Sequence, residues 1–231
     1  MAFNVRQIFA ALNGAKVEYV VVGGMAVILH GYLRATADLD LVIGLAPANC
    51  KRGLQALANI GFKPRLPVAI EEFADPRKRE EWIEQRNMLV FQLWDPANPM
   101  RSLDVFVKES IAFDSLLRDA VSKDIDGVAV RVASIEHLIE MKQAAGRPRE
   151  LEDITSCGRF ATKGKRMTEA EGNDRTADAF RDAETANLRA WMKLSGGQKV
   201  DFFEEMIEVA YHSGALRPER LALRDMGAVS K

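Results

Sequence analysis

The sequence has only two cysteines in 231 residues, Cys50 and Cys157, far apart and with no second Cys or His at a metal-ligand spacing. That scarcity excludes a disulfide framework and a structural zinc site, and it suits a reducing cytoplasm. Net charge is also lacking: 32 Lys and Arg stand against 33 Asp and Glu, leaving −1 with neutral histidines. No global field announces a nucleic acid or a membrane, so any such contact has to be local. Long apolar runs are missing too. The most apolar stretch, Val17 to Leu29, contains Glu18 and the pair Gly23-Gly24 and is too short to span a bilayer. The opening MAFNVRQIFAALNGAKVEYV has one Arg before a short apolar segment but no small-residue cleavage site, so it reads as mature sequence.

What is present is ordinary globular composition, 48% hydrophobic and 28% charged, enough for one good core plus an appendage. Phe3, Ile8, Phe9 and Leu12 share one helical face, closed by Asn13-Gly14, and Val17 to Val22 is a β-branched strand run. Met25 to His30 suits a short helix that starts at Gly23-Gly24. Asp38 to Ile43 alternates and then turns wholly apolar, as a strand does when its far end is buried. Pro47 to Ile60 is a further helix, and Glu71 to Arg86, with alternating charge signs around Phe73, Trp82 and Ile83, reads as a solvated helix or loop. Met88–Trp94 and Ser102–Val107 form a hairpin around Asp95-Pro96-Ala97-Asn98-Pro99. Leu116 and Leu117 suggest a helix, Val128–Val132 is a strand, and Ser134 caps a helix that ends near Gly146.

These elements predict an α/β (α+β) domain, a small mixed sheet flanked by helices, over residues 1–161. A polar, glycine-containing linker follows at 162–175. A C-terminal helical region spans 176–231, with one amphipathic stripe at Phe180, Leu188 and Trp191 and another at Val200, Phe203, Ile207 and Tyr211.

The chemistry sits near the sheet. Side chains two apart on a strand share a face, so Asp38 and Asp40 point together while Leu39 and Leu41 enter the core. Asp104, in Ser102-Leu103-Asp104-Val105-Phe106, has the same setting, and an adjacent strand would bring it to the same cleft. Three carboxylates so close repel and raise one another's pKa unless a hard, oxygen-preferring cation neutralises them, which points to Mg²⁺. Mg²⁺ held by two or three carboxylates keeps positions for phosphate oxygens, and a pair of such ions can flank an in-line displacement. Gly23 and Gly24, lacking Cβ atoms, would let the backbone approach a triphosphate.

The order hydrophobic-Gly-Gly, spacer, Asp-Leu-Asp and later Leu-Asp-Val resembles the nucleotidyltransferase superfamily, the fold of DNA polymerase beta. VVGGMAVILHGYLRATADLDLVI, SLDVFV and SIEHLIEMKQAAGRPRELEDI look specifically like the small bacterial nucleotidyltransferases similar to the AbiEii toxin family, over roughly residues 5 to 160. The resemblance implies that Gly23 and Gly24 contact the triphosphate, that Asp38 and Asp40 hold Mg²⁺, and that Asp104 completes the site and helps deprotonate the attacking hydroxyl. It also matches Lys142 to a late-helix lysine meeting the triphosphate and Asp153 to a final acidic motif. Many members have Ser at the second glycine, so here a side-chain hydroxyl to phosphate is lost and only backbone donors remain. Arg34 and Thr36 either touch phosphate or bind Asp38. His30 is a packed or capping residue, and His137 and His212 lie at the surface without partner spacing.

The resemblance implies a Mg²⁺-dependent enzyme, its site formed with two ions, that moves a nucleoside monophosphate from an NTP to a hydroxyl. The acceptor is a tRNA 3′ end, a partner protein's side chain or a small molecule, in a toxin–antitoxin or related setting. Met141 to Arg166 carries seven basic against three acidic residues, a patch able to track a nucleic-acid backbone or simply to be solvated. Two rivals keep the fold or the motif without this activity: a non-catalytic, antitoxin-like binding module, and a sugar transferase using Asp-x-Asp.

Overall fold

The β-branched and alternating runs become strands, and the segments of helical apolar period become the helices that cover them. A computed structural model describes residues 5–32, 36, 38–145 and 195–216. Within these, the order is α1 (Val5–Gly14), β1 (Tyr19–Val22), α2 (Gly23–Leu29), β2 (Leu39–Ile43), α3 (Pro47–Asn59) and β3 (Lys63–Pro64). A 3-10 turn (Ile70–Ala74), α4 (Pro76–Arg86), β4 (Val90–Asp95), β5 (Asn98–Phe106) and α5 (Phe113–Arg118) follow. Then come β6 (Val121–Ile125), β7 (Val128–Val132), α6 (Ile135–Ala145) and α7 (Gly196–His212).

The strands make one mixed sheet in the order β3-β4-β5-β2-β1-β7-β6, the expected α/β architecture. At its centre β2 is antiparallel to β1 and parallel to β5, and β1 is parallel to β7. β1 is buried at all four residues, which is why a β-branched run without polar alternation forms it. The helix α1 buries Val5, Ile8, Phe9 and Leu12. Asn49 of α3 is buried but satisfied: its Oδ1 accepts from Glu18 N at 2.9 Å, and its Nδ2 donates to Glu18 O and Gly44 O at 3.0 and 2.9 Å. One amide thus pins α3 to the ends of two central strands.

The segment 70–86 is less solvated than its charge pattern implies. Asp75 caps α4 by accepting from Arg77 N at 2.9 Å, and the helix buries Trp82 against Phe91 of β4 while the 3-10 turn buries Phe73 beside it. Arg79 is buried as well, donating to Phe73 O at 2.6 Å and Leu45 O at 3.2 Å with its guanidinium over the Phe73 ring. Two strands were not foreseen. β3 has only two residues, and β6 is an exposed edge of mixed polarity whose hairpin with β7 is made by Asp126 and Gly127, both at positive φ, the Asp-Gly two-residue turn.

The helix α7 packs against α2 and β6 and sends Met206, Val209 and Ala210 into the core. That stripe differs from the expected one: Ile207 is half-buried, and Tyr211 is exposed and lies against His212. Beyond α7, Ala215 O meets Gly31, which has φ +95° and where a Cβ would lie 2.7 Å from that oxygen, so a side chain there would part the helix from the end of α2. The expected linker 162–175 and the stripe of Phe180, Leu188 and Trp191 lie outside the described residues.

Phe91 is fully buried between Trp82, stacked at 5.3 Å, and Phe73, tilted at the same centroid distance. Phe91→Ala is expected to destabilise the protein by about 3–5 kcal/mol, the cost of a large aromatic lost from a packed core, measured by urea unfolding.

Candidate active site

The register of the sheet builds the site. Val22 of β1 lies opposite Asp40 of β2, Asp40 lies opposite Asp104 of β5, and Asp104 lies opposite Gln92 of β4. Residues directly opposite in neighbouring strands project to the same face, so one row carries both carboxylates and the amide. Asp38 joins from the bend before β2, and carboxylate oxygens of Asp38, Asp40 and Asp104 lie within 4.8 Å of one another. The alternate residues Leu39, Leu41, Leu103 and Val105 are buried in the core, as the alternation predicts.

The three carboxylates are not equivalent. Asp38 and Asp40 are half-buried; Asp104 is buried, and its Oδ1 has no hydrogen-bond partner among the described residues. Its Oδ2 lies 3.5 Å from Gln92 Nε2, at the limit of a hydrogen bond. Burial first, and then the Asp38 charge, push the Asp104 carboxyl up to about 8, against the weaker opposing pulls of Gln92 and Arg65. A buried carboxylate oxygen without a partner is costly, and an all-oxygen acidic donor set is what a hard divalent cation prefers. The residues present therefore fit Mg²⁺.

The glycine turn contributes in a way the sequence does not disclose. Gly23 has φ +62°, which favours glycine, and a Cβ there would overlap Asp40 Oδ2 and lie 2.8 Å from Asp40 Cβ. A Cβ at Gly24 would overlap Thr36 Oγ1 and lie 2.7 Å from Thr36 Cβ. Both absent methyls are thus matched by the protein's own side chains. Thr36 is buried, with Oγ1 3.1 Å from Asp38 Oδ1 and 3.3 Å from Asp38 O, so of its two expected roles the contact with Asp38 is the one seen.

Gly23, Gly24, Thr36, Asp38, Asp40 and Asp104 are therefore brought together. Lys142 is buried within α6, which follows the end of β7 beside β1. Arg34 and Asp153 lie outside the described residues, as does most of the basic stretch 141–166. Gln92 and Arg65 were missed. Gln92 is the one amide in Val90-Phe91-Gln92-Leu93-Trp94, a signal that the hairpin register could have turned into a contact with Asp104; Arg65, after the two-residue β3, had none. His30 is half-buried with Nε2 2.8 Å from Ala133 O, and burial lowers its pKa. His212 is exposed, as expected, with Nδ1 2.8 Å from Asp126 Oδ1, whereas His137 is largely covered, with Nε2 3.8 Å from Asp119 Oδ2.

The family described as "Nucleotidyltransferase of unknown function (DUF6036)" matches residues 3–161. No curated protein matches the chain. Solved structures similar to it include the antibiotic-resistance factor ANT(2'')-Ia in solution, at 14% identity over 82% of this chain and 96% of that one, with a TM-score of 0.45. The lincosamide antibiotic adenylyltransferase LnuA, with lincomycin bound, is 16% identical over 67% of this chain and 94% of that one, TM-score 0.45. An antigenic nucleotidyltransferase-like protein from Paracoccidioides brasiliensis is 17% identical over 81% and 94%, TM-score 0.43.

The raised pKa of Asp104 carries a sign for stability. An unfolded Asp titrates near 3.9, so between about pH 4 and about pH 8 the native state holds a proton that the unfolded state has released, and stability falls as pH rises. His30, with its lowered pKa, contributes the opposite slope and cancels when variants are compared. In metal-free protein the melting temperature is expected to drop from pH 5 to 8 more steeply in the wild type than in Asp104→Asn, whose side chain cannot ionise. Parallel melting curves for the two would show that Asp104 titrates normally.

Proposed function

The chain belongs to the nucleotidyltransferase family that matches residues 3–161, and from that premise we propose that it is a Mg²⁺-dependent enzyme transferring a nucleoside monophosphate from an NTP to a hydroxyl acceptor. The acceptor oxygen attacks the α-phosphorus, its bond to pyrophosphate breaks, and pyrophosphate leaves. The observation that carries this reading is the convergence of Asp38 from the bend before β2, Asp40 of β2 and Asp104 of β5 within 4.8 Å.

In this reading Asp38, Asp40 and Asp104 hold the metal, in two ions when the site is full. Bound Mg²⁺ supplies positive charge against the triphosphate oxygens. Asp104, the most enclosed, draws the proton from the attacking hydroxyl. Backbone N–H groups of the Gly23-Gly24 turn face the phosphates, and Arg34, Lys142 and Asp153 complete the nucleotide site, with Thr36 beside the turn acting through Asp38. Holding the acceptor oxygen in line with the scissile bond provides much of the remaining acceleration.

The finer likeness, to AbiEii toxin-type transferases, belongs to the same proposal, together with a cytoplasmic, toxin–antitoxin-related setting. So does an acceptor that is a tRNA 3′ end, a protein side chain or a small molecule. Among the described residues no helix is long and apolar enough to cross a membrane. We assign the transfer chemistry to 1–161 and treat 176–231, reached through 162–175, as an appended helical region whose α7 packs on α2.

Supplying a cell extract with isotopically labelled ATP, GTP, CTP and UTP in turn, with Mg²⁺, is expected to give one labelled product class by mass spectrometry. NTP binding without any labelled product would instead support a non-catalytic module. Asp38→Asn and Asp40→Asn should each slow transfer by about a thousandfold, equivalent to about 4 kcal/mol of lost charge stabilisation. Their melting temperatures should stay at or above that of the wild type, because removing one charge relieves repulsion in the metal-free cluster. A sharp fall in melting temperature in both variants would point to a structural role.

A further inference from the structure

Gly24 and Thr36 occupy one space between them. Gly24 is not among the residues at positive φ, so its backbone would accept any side chain; what excludes one is Thr36, whose Oγ1 and Cβ would both clash with a Cβ at position 24. Thr36 is 8% exposed, and its hydroxyl reaches Asp38 Oδ1 at 3.1 Å and Asp38 O at 3.3 Å. The threonine comes from the spacer between the turn and the Asp-Leu-Asp strand, yet it delivers its oxygen into the turn.

We propose that Thr36 is a positioning residue for Asp38, placing a hydroxyl from the spacer in the space that a serine at position 24 would fill from the turn. The two positions then form an exchangeable pair, one bearing the hydroxyl and the other leaving room for it. A hydroxyl has a single proton, and donating it to Asp38 fixes the rotation of that carboxylate relative to Asp40 and Asp104. A rotating carboxylate would have to be ordered each time the cluster gathers around a cation, so the hydroxyl acts on cation affinity before it acts on turnover. Glycine at 24 is thus required by packing against Thr36, in contrast to Gly23, whose φ itself is left-handed. The assignment rests on the nucleotidyltransferase reading of the site, and its test separates the two.

Four variants of the full chain decide the matter: Thr36→Val, Thr36→Gly, Gly24→Ser and the exchange Gly24→Ser/Thr36→Gly. Each is read by thermal melting without ligand, by Mn²⁺ binding and by nucleotidyl transfer. Thr36→Val keeps the volume, so it should melt close to the wild type yet bind Mn²⁺ about tenfold more weakly, the order of one lost hydrogen bond to a charged group. Gly24→Ser should lower the melting temperature, because its Cβ meets Thr36. The exchange should melt above Gly24→Ser and recover Mn²⁺ affinity to within about threefold of the wild type, the size of an ordinary conservative change. Wild-type Mn²⁺ affinity in Thr36→Val, or an exchange no better than its single variants, overturns the assignment. Melting and Mn²⁺ binding need no turnover, so a wild type that transfers nothing defeats the enzymatic reading while the pairing remains readable.

Discussion

The position of β2 between β1 and β5 is the constraint on which the site depends. Leu39 and Leu41 are fully buried on one face, so Asp40 has to emerge on the other, opposite Asp104 on one side and Val22 on the other. A slip of one residue would send the aspartate into the core and the leucines to the cleft, which burial of the leucines opposes by about 1.5–3 kcal/mol each. The apolar residues therefore place the acidic ones. Gly23 is fitted to the same register: a Cβ there would overlap the Asp40 carboxylate that this pairing brings beside the turn.

That placement carries an electrostatic cost. Three carboxylates share one small space, and the innermost, Asp104, is buried with one oxygen lacking a partner among the described residues. Burial of a charged form without compensation is among the largest single penalties a fold can carry, and the protein answers it only in part, through the Gln92 amide and the Arg65 charge. The partial answer is informative. Asp104 is left in an acidic, oxygen-only donor set whose repulsion a divalent ion would reduce. Stability is held down locally at the place where binding would restore it.

Much of this was legible in the sequence because it depended on period and order. Alternation gave the facing of Asp38, Asp40 and Asp104, and Asp95-Pro96-Ala97-Asn98-Pro99 announced the hairpin that the structure closes with Asp95 Oδ1 accepting from Ala97 N at 2.9 Å. What stayed hidden required distances. The mixed-polarity edge strand β6 has one neighbour and buries only Ile125 fully, so its sequence lacks the usual alternation, although Asp126-Gly127 marked its turn. The charges of α4 concealed a buried Trp82 and a buried Arg79, because an arginine can enter a core when carbonyls accept its protons. Gln92 becomes a neighbour of Asp104 only once the hairpin register is known.

The Gly-Gly pair has a use in the fold besides the ligand contact that its sequence suggests. Two glycines at a strand-to-helix turn suggest close approach of a ligand to the backbone. In the folded chain the space beside each is already used, by Asp40 at Gly23 and by Thr36 at Gly24. Close approach is thus made first by the protein to itself, and it brings the turn against the strand and spacer that carry the carboxylates. Because the glycines leave no side chain of their own on that side, the polar atoms next to the turn belong to Asp40 and Thr36, and through Thr36 to Asp38. The turn and the acidic cluster are consequently one packed unit: a methyl added at either glycine would displace a carboxylate or the hydroxyl that touches one, whatever ligand the site receives.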